Sequence, residues 1–304
     1  MSTALPLHTP SGMTNRLTVL TLPARLSAHM AWLDQSFTAA DYHDPARQDA
    51  ARAELSGRVE GLATVLEQAA SAVRDDQAVV LRGLPAQSTA MVVAVASAIG
   101  PVVPSRPDRP LIDDIKPDVN AGEQTRIGDL RVALTPHTDN STMPAPPEIL
   151  ALAFVHNGTP DSGGESTLTH IDDIAAALDD TDVELLQEPR YPSLNVPTDA
   201  GRAPTLTSVL ARRADGRLTV RYRDAALDAG IASTLAPETP SPAHLSALHR
   251  FTTTVREPAR QTRARLDTGD MLIIDNARFL HGRTEIAANA VRHLKRLYTR
   301  LNPA

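Results

Sequence analysis

The chain has 304 residues, a formal net charge of -6 and no cysteine. Disulfides, thiolate-bound zinc and iron–sulfur clusters are therefore excluded, and histidine and carboxylate are left as the strong metal ligands. The acidic balance and the scatter of the arginines argue against a nucleic-acid partner.

Four Phe, four Tyr and one Trp are too few to dominate a core, so Leu, Val, Ile and Ala must build it. Only two of the 30 basic residues are lysine, Lys116 and Lys295. The opening MSTALPLHTPSGMTNRLTVL lacks a positive start followed by an apolar run, so no secretory signal is expected. No stretch of about 18 apolar residues is present to span a membrane. The expectation is a soluble, cytoplasmic protein acting on a small molecule.

In chain order, residues 1–15 read as a loose tail rich in Pro, Ser and Thr. Residues 16–75 carry helix-period segments, clearest over 47–74. Residues 78–83 (AVVLRG) predict a buried strand ending in a turn. Residues 89–99 predict a helix that stops at Gly100-Pro101. The Pro- and Asp-rich stretch 101–130 has no clear period and is long for a loop, which suggests a lid.

From 131 onward short strands prevail, at 131–135, 148–155, 165–170, 189–196, 203–210, 217–223, 262–266, 270–275, 279–284 and 292–301. Helices interrupt near 172–179 and 242–256. No repeat of solenoid period is present. A helical start followed by many short strands predicts a mainly β fold, a sandwich or jelly roll with helices packed outside. The expected division is a tail and helical flank over 1–75 and a catalytic core over 76–304.

A His-x-Asp pair in a strand presents both side chains on one face, because strand side chains alternate with period two. Two such pairs occur. His137-Thr138-Asp139 ends a strand-like run and faces the loop 140–147, where a site can open. His170-Ile171-Asp172 begins a helix-like run, where Asp172 is more simply an N-cap. A third ligand is expected from His281, in the second strand of the segment 269–283. Two histidines and one carboxylate leave three positions of an octahedral ion free, the arrangement of non-haem iron(II) oxygenases.

Pro136-His137-Thr138-Asp139, Gly163-Gly164-Glu165-Ser166-Thr167 and the ordered set Gly269-Asp270, Asp275-Asn276, His281-Gly282-Arg283, Arg292 and Arg296 resemble the taurine dioxygenase and clavaminate synthase-like superfamily. The resemblance spans roughly residues 75–301. It implies a double-stranded β-helix, cupin-like jelly roll, with Fe(II) held by His137, Asp139 and His281 and with 2-oxoglutarate and O₂ as cosubstrates. Arg292, eleven residues beyond His281, is implied to hold the distal carboxylate of 2-oxoglutarate. Thr167 is implied to share it, with Ser166 open as the alternative. Arg296 is implied to lie near the metal-side carboxylate. Arg supplies the planar, always-charged fork that a dicarboxylate needs.

Asp139 stands where halogenating relatives carry a small residue, so hydroxylation is favoured over halogenation, with desaturation or cyclisation as variants. The resemblance points to a small polar substrate, an amino acid or a derivative of one in specialised metabolism. Asp108, Asp113 and Asp114 are available to meet a cationic substrate, or are ordinary solvated loop charges. Two rivals remain: a zinc hydrolase on the same three ligands, which leaves Arg292 and Thr167 without a task, and a non-catalytic jelly-roll binding protein.

Overall fold

The structure is a computed structural model that describes residues 16–106, 108–117, 130–195, 199 and 201–301. The tail 1–15 and part of the expected lid, 118–129, lie outside the described residues.

The first element among the described residues is a strand the helix-period reading did not anticipate, β1 (Leu17–Thr21), which runs parallel to β2 (Ala78–Arg82). Parallel neighbours need a long crossover, and the helices fill it: α1 (Met30–Ser36), α2 (Pro45–Arg58) and α3 (Leu62–Arg74). Asp44 caps α2 by accepting from the Ala46 N–H at 2.9 Å, and Pro45 starts the first turn. The helix-period segments over 47–74 form two helices, and Gly61 at φ 79° turns the chain between them. Next comes α4 (Thr89–Ala96), capped by the Ser88 hydroxyl and buried at every residue but its first.

The expected loop 101–130 contains two short strands, β3 (Val102–Val103) and β4 (Ile112–Ile115). Both pair with the C-terminal strand, which offers a long edge. Then come β5 (Leu134–His137), β6 (Ile149–Asn157) and β7 (Ser166–His170). Helices α5 (Ile171–Ala175) and α6 (Asp180–Gln187) follow. Two small hairpins pair β8 (Tyr191–Ser193) with β9 (Thr205–Thr207) and β10 (Leu210–Arg212) with β11 (Leu218–Val220). Helix α7 (Asp224–Ile231), not expected, and α8 (Pro242–Arg256), expected, precede β12 (Thr262–Ala264), β13 (Met271–Asp275), β14 (Phe279–Arg283) and β15 (Arg292–Thr299).

Seven strands form one sheet in the order β1-β2-β13-β6-β15-β3, with β4 also on β15. Four form the second, β12-β7-β14-β5. They face each other as the two walls of a jelly roll, the double-stranded β-helix expected, with helices on the outside. Strand β13 shows why such strands read as unbroken apolar runs. Its Leu272 and Ile274 join Phe154, Leu168 and Phe279 between the sheets. Its Met271 and Ile273 face the other way, into the cluster formed with α2, α3 and α4. Burying a side chain such as Leu272 contributes roughly 2 kcal/mol. A third cluster packs Leu280 of β14 under α5, α6 and α8.

Candidate active site

Strand β14 is flanked by β7 and β5, and His281 lies directly opposite His137 in the β14–β5 ladder. Between this pair and the next, Arg283 and Leu134, the register shifts: β5 carries one extra residue. Pro136 falls in that bulge, where its missing N–H costs no ladder bond. Gly282 is required at the same place. A Cβ there would meet the Leu134 carbonyl oxygen at 2.5 Å and the Thr167 hydroxyl at 2.8 Å.

The Nδ1 of His137 donates to the Thr135 carbonyl at 2.8 Å, which leaves Nε2 with its lone pair free. Beyond it the chain is pinned residue by residue. The Thr138 N–H donates to the Tyr222 carbonyl at 2.8 Å, and the Tyr222 N–H donates back to the Thr138 hydroxyl at 3.0 Å. Asn276 clamps Asp139: its Oδ1 accepts from the Asp139 N–H at 2.8 Å, and its Nδ2 donates to the Asp139 carbonyl at 3.1 Å. Asn140 then leaves in the left-handed region, φ 54°.

His137, Asp139 and His281 come together. One donor atom from each lies within 4.8 Å of the others. Asp139 Oδ1 is 3.5 Å from His137 Nε2 and 3.7 Å from His281 Nε2. Two donors about 2.1 Å from one ion are roughly 3.0–3.6 Å apart, and both His–Asp separations lie within or close to that range. Burial, with help from the nearby His137 and against the pull of Asp139, pushes His281 down to about 3. It is thus neutral at physiological pH, the form that binds metals. Burial opposes ionisation of Asp139, but Arg296 and the two histidines hold its carboxyl well below the usual range. Two imidazoles and one carboxylate fit a divalent first-row metal.

The second His-x-Asp pair gathers a comparable group, Asp76, His170 and Asp172. There the cation is already supplied. Arg278, with no exposed surface, grips Asp76 with Nε at 2.9 Å and Nη2 at 2.6 Å, and reaches Asp172 at 2.6 Å. Arg16 contacts both acids as well, at 3.1 and 3.2 Å. Two carboxylates thus meet two guanidiniums. Asp172 is not the N-cap it was expected to be: His170 caps α5, its Nδ1 accepting from the Asp172 N–H at 3.2 Å. The Asp172 carboxylate is turned instead to Arg278 and Arg16.

Arg292 opens β15 between the sheets, its guanidinium 5.4 Å from the Phe154 ring centroid. Its side chain is buried, and among the described residues no hydrogen bond or ion pair reaches it. Burial, then the nearby Arg283 and Arg265, push it down to about 9, which still leaves it cationic at neutral pH. Gly164 lies alongside it: a Cβ there would be in ordinary contact, 3.7 Å from Nη1. A buried guanidinium without a counter-ion among the described residues, with two further arginines nearby, suits an anionic group such as a carboxylate.

Thr167 pairs with Gly282 and Ser166 with Arg283 in the β7–β14 ladder. Paired residues share a face and neighbours alternate. Ser166 therefore lies on the face of His281 and Arg283, and Thr167 on the opposite face, its hydroxyl toward Gly282. Arg296 is engaged with two acids, Nη1 to Asp139 Oδ2 at 3.1 Å and Nη2 to Asp113 Oδ2 at 2.9 Å. Asp113 is buried, and Asp114 lies against His293 at 2.5 Å. The Tyr298 hydroxyl also donates to Asp139 Oδ2, at 2.7 Å. Burial and the adjacent Asp139 push that phenol well above its ordinary range, so it is a donor. The sequence offered no signal for Tyr298 beyond its place two residues after Arg296, on the same strand face.

A facing pair of sheets, with a His-Asp-His cluster and a waiting arginine between them, defines the class of mononuclear metal oxygenases with a jelly-roll scaffold. Residues 46–298 match the family described as taurine catabolism dioxygenase TauD, TfdA, and the chain belongs to that family. A search of curated proteins returns no match. Among solved structures, asparagine oxygenase in complex with Fe(II), 2S,3S-3-hydroxyasparagine and succinate is similar. It aligns with a TM-score of 0.74 and 20% identity over 92% of this chain and 93% of that one. The non-haem iron oxygenase OrfP with Fe and α-ketoglutaric acid aligns at 0.70 and 21% over 93% and 94%. OrfP in complex with Fe, succinate and (3S)-hydroxy-L-Arg aligns at 0.69 and 21% over 94% of each chain.

Proposed function

We propose that the chain is an Fe(II)- and 2-oxoglutarate-dependent hydroxylase of a free amino acid or a close derivative. The observation that carries the reading is Arg292, a buried, unpaired guanidinium within the same sheet sandwich as the His-Asp-His cluster. A zinc hydrolase or a binding protein gives that arginine nothing to do. Similar structures hold hydroxylated asparagine and hydroxylated arginine, which supports an amino acid as substrate.

In this reading His137, Asp139 and His281 hold the iron, and Arg292 holds the distal carboxylate of 2-oxoglutarate. Ser166, on the face of His281, is the better partner for that carboxylate than Thr167. Arg296 stands beside the metal and secures Asp139. When bound, the iron and cosubstrate supply O₂ activation coupled to oxidative decarboxylation, which yields succinate and CO₂. The chain's own residues hold the ligand atoms in place, keep the site between two apolar sheets and present a cationic anchor. The flank over 1–75 and the core over 76–304 act as one catalytic unit, a reading supported by the packing of α2 and α3 into the cluster of the larger sheet.

The test is a panel of amino acids and their derivatives, asparagine and arginine included, scored by succinate formed above the substrate-free background and by mass gain of the amino acid. Gain of one oxygen atom establishes hydroxylation, and loss of two hydrogens establishes desaturation or cyclisation. Absence of any iron- and O₂-dependent succinate would end the proposal.

A further inference from the structure

Each carboxylate oxygen offers two lone-pair positions. On Asp139 they are used unequally. Oδ2 accepts from the Tyr298 hydroxyl at 2.7 Å and from Arg296 Nη1 at 3.1 Å. Oδ1 is the atom that lies 3.5 and 3.7 Å from the two histidine Nε2 atoms. The backbone of the same residue is clamped on both sides by Asn276, which fixes the point from which the carboxylate reaches the cluster. Tyr298 is equally fixed: it is 2% exposed and sits on β15, whose ladder with β6 places it opposite Leu150.

We infer that Tyr298 is a positioning residue that, together with Arg296, fills Oδ2 and restricts Asp139 to metal binding through Oδ1 alone. The inference rests on the iron and 2-oxoglutarate reading above. Its consequence concerns the count of open positions. Two histidines and one carboxylate oxygen leave three of six positions on an octahedral ion. A carboxylate that bound through both oxygens would take one of them, and a cosubstrate chelating through two atoms would then leave none for O₂. Arg296 alone covers only one lone pair of Oδ2, and its other nitrogen is committed to Asp113. The tyrosine hydroxyl is the second and shorter contact.

Tyr298→Phe removes that contact and keeps the ring in the core. Tyr191→Phe is the control, since the Tyr191 hydroxyl donates to the Leu185 carbonyl and plays no part at the metal. Wild type and both variants are loaded anaerobically with Fe(II) and titrated with 2-oxoglutarate. The visible absorption of the chelate is recorded, and Mn(II) affinity is measured separately by electron paramagnetic resonance. Losing a hydrogen bond to a charged group costs roughly tenfold or more, and here the loss falls on the cosubstrate, because the freed Asp139 oxygen takes a position that 2-oxoglutarate needs. Tyr298→Phe should therefore weaken 2-oxoglutarate binding about tenfold and alter the absorption band, with Mn(II) affinity changed far less. Tyr191→Phe should match wild type in all three readouts.

Unchanged 2-oxoglutarate affinity and band in Tyr298→Phe would overturn the inference. So would a fall in Mn(II) affinity as large as the fall for 2-oxoglutarate, which marks simple support of a ligand. If Tyr298→Phe does not fold, the structure of the wild-type Mn(II) complex decides. One Asp139 oxygen on the ion upholds the inference, and two overturn it. A wild type that binds Mn(II) but shows no 2-oxoglutarate band fails at the earlier step, and the functional reading falls with it.

Discussion

His281 faces His137 across the β14–β5 ladder, and the two imidazole centroids are 4.5 Å apart. That pairing brings residues 144 positions apart in the chain into one cluster with Asp139. Removal of either imidazole should reduce Mn(II) affinity by at least about a hundredfold, the upper end of what even an orienting group costs. The check is a metal titration of His137→Ala and His281→Ala by electron paramagnetic resonance. Thermal melting without metal should show both variants folded.

The close approach of β5 to β14 depends on Gly282. Alanine there would push against the Leu134 carbonyl, which is backbone and cannot swing aside. Overpacking of this kind costs about 1–3 kcal/mol. Its more telling effect should be on the metal, because moving β5 moves His137 and not His281. Gly282→Ala is therefore expected to lose metal affinity out of proportion to its loss of stability. Parallel urea denaturation and metal titration measure the two effects.

Much of the site could be read before any coordinates, and the reasons are specific. Without cysteine, metal chemistry falls to His and carboxylate, and the two-residue spacing of His137 and Asp139 is a strand-face signature. What escaped the reading depends on contacts distant in sequence. β1 looks like the start of a helical region because its partner, β2, lies some 60 residues on. Asp113 looks like a loop charge because Arg296, which buries with it, is 183 residues away. The choice between Ser166 and Thr167 rests on ladder register, and short runs of hydroxyl residues show no period of their own. His170 and Asp172 copy the spacing of the first pair, and only the arrival of Arg278 shows that their cation is already present.

Arg292 leads to a pair of opposite effects. Arg292→Met should weaken 2-oxoglutarate binding by about 2 kcal/mol or more, roughly thirtyfold, the cost of deleting one partner of a buried charge pair. The protein without cosubstrate should be no less stable than wild type, because an unpaired buried charge has been replaced by an apolar side chain of similar length. Isothermal titration with 2-oxoglutarate and melting of the metal-free protein test the two halves. Equal loss in both would show that Arg292 is structural.

The Asp76–Arg278 pair should give the fold an acid-sensitive element. Burial works against the Asp76 carboxylate, but His170 and Arg278 hold it far below its ordinary value. A carboxyl depressed in the folded state stabilises the fold above its unfolded value, about 3.9, and that contribution is lost as the pH falls further toward the folded value. Stability measured by urea denaturation from pH 6 to pH 3 should therefore drop below about pH 4, and Asp76→Asn should flatten that segment. Arg278→Met should cost about 3 kcal/mol at neutral pH, since it removes the buried partner of Asp76 and leaves only Arg16 and His170 beside that carboxylate.

Ser166 and Thr167 separate the two faces of β7 in a way kinetics can read. Ser166 shares the face of His281 and Arg283, and Thr167 points to the cramped space beside Gly282. A hydrogen bond to a charged group contributes about 1.5–3 kcal/mol. Ser166→Ala should therefore raise the KM for 2-oxoglutarate by roughly tenfold or more with little change in melting temperature. Thr167→Val keeps the shape of the side chain and should leave that KM unchanged. The reverse pattern, a KM effect from Thr167 and none from Ser166, would mean that β7 pairs with β14 one residue out of the register seen here, and every assignment on that strand would shift with it.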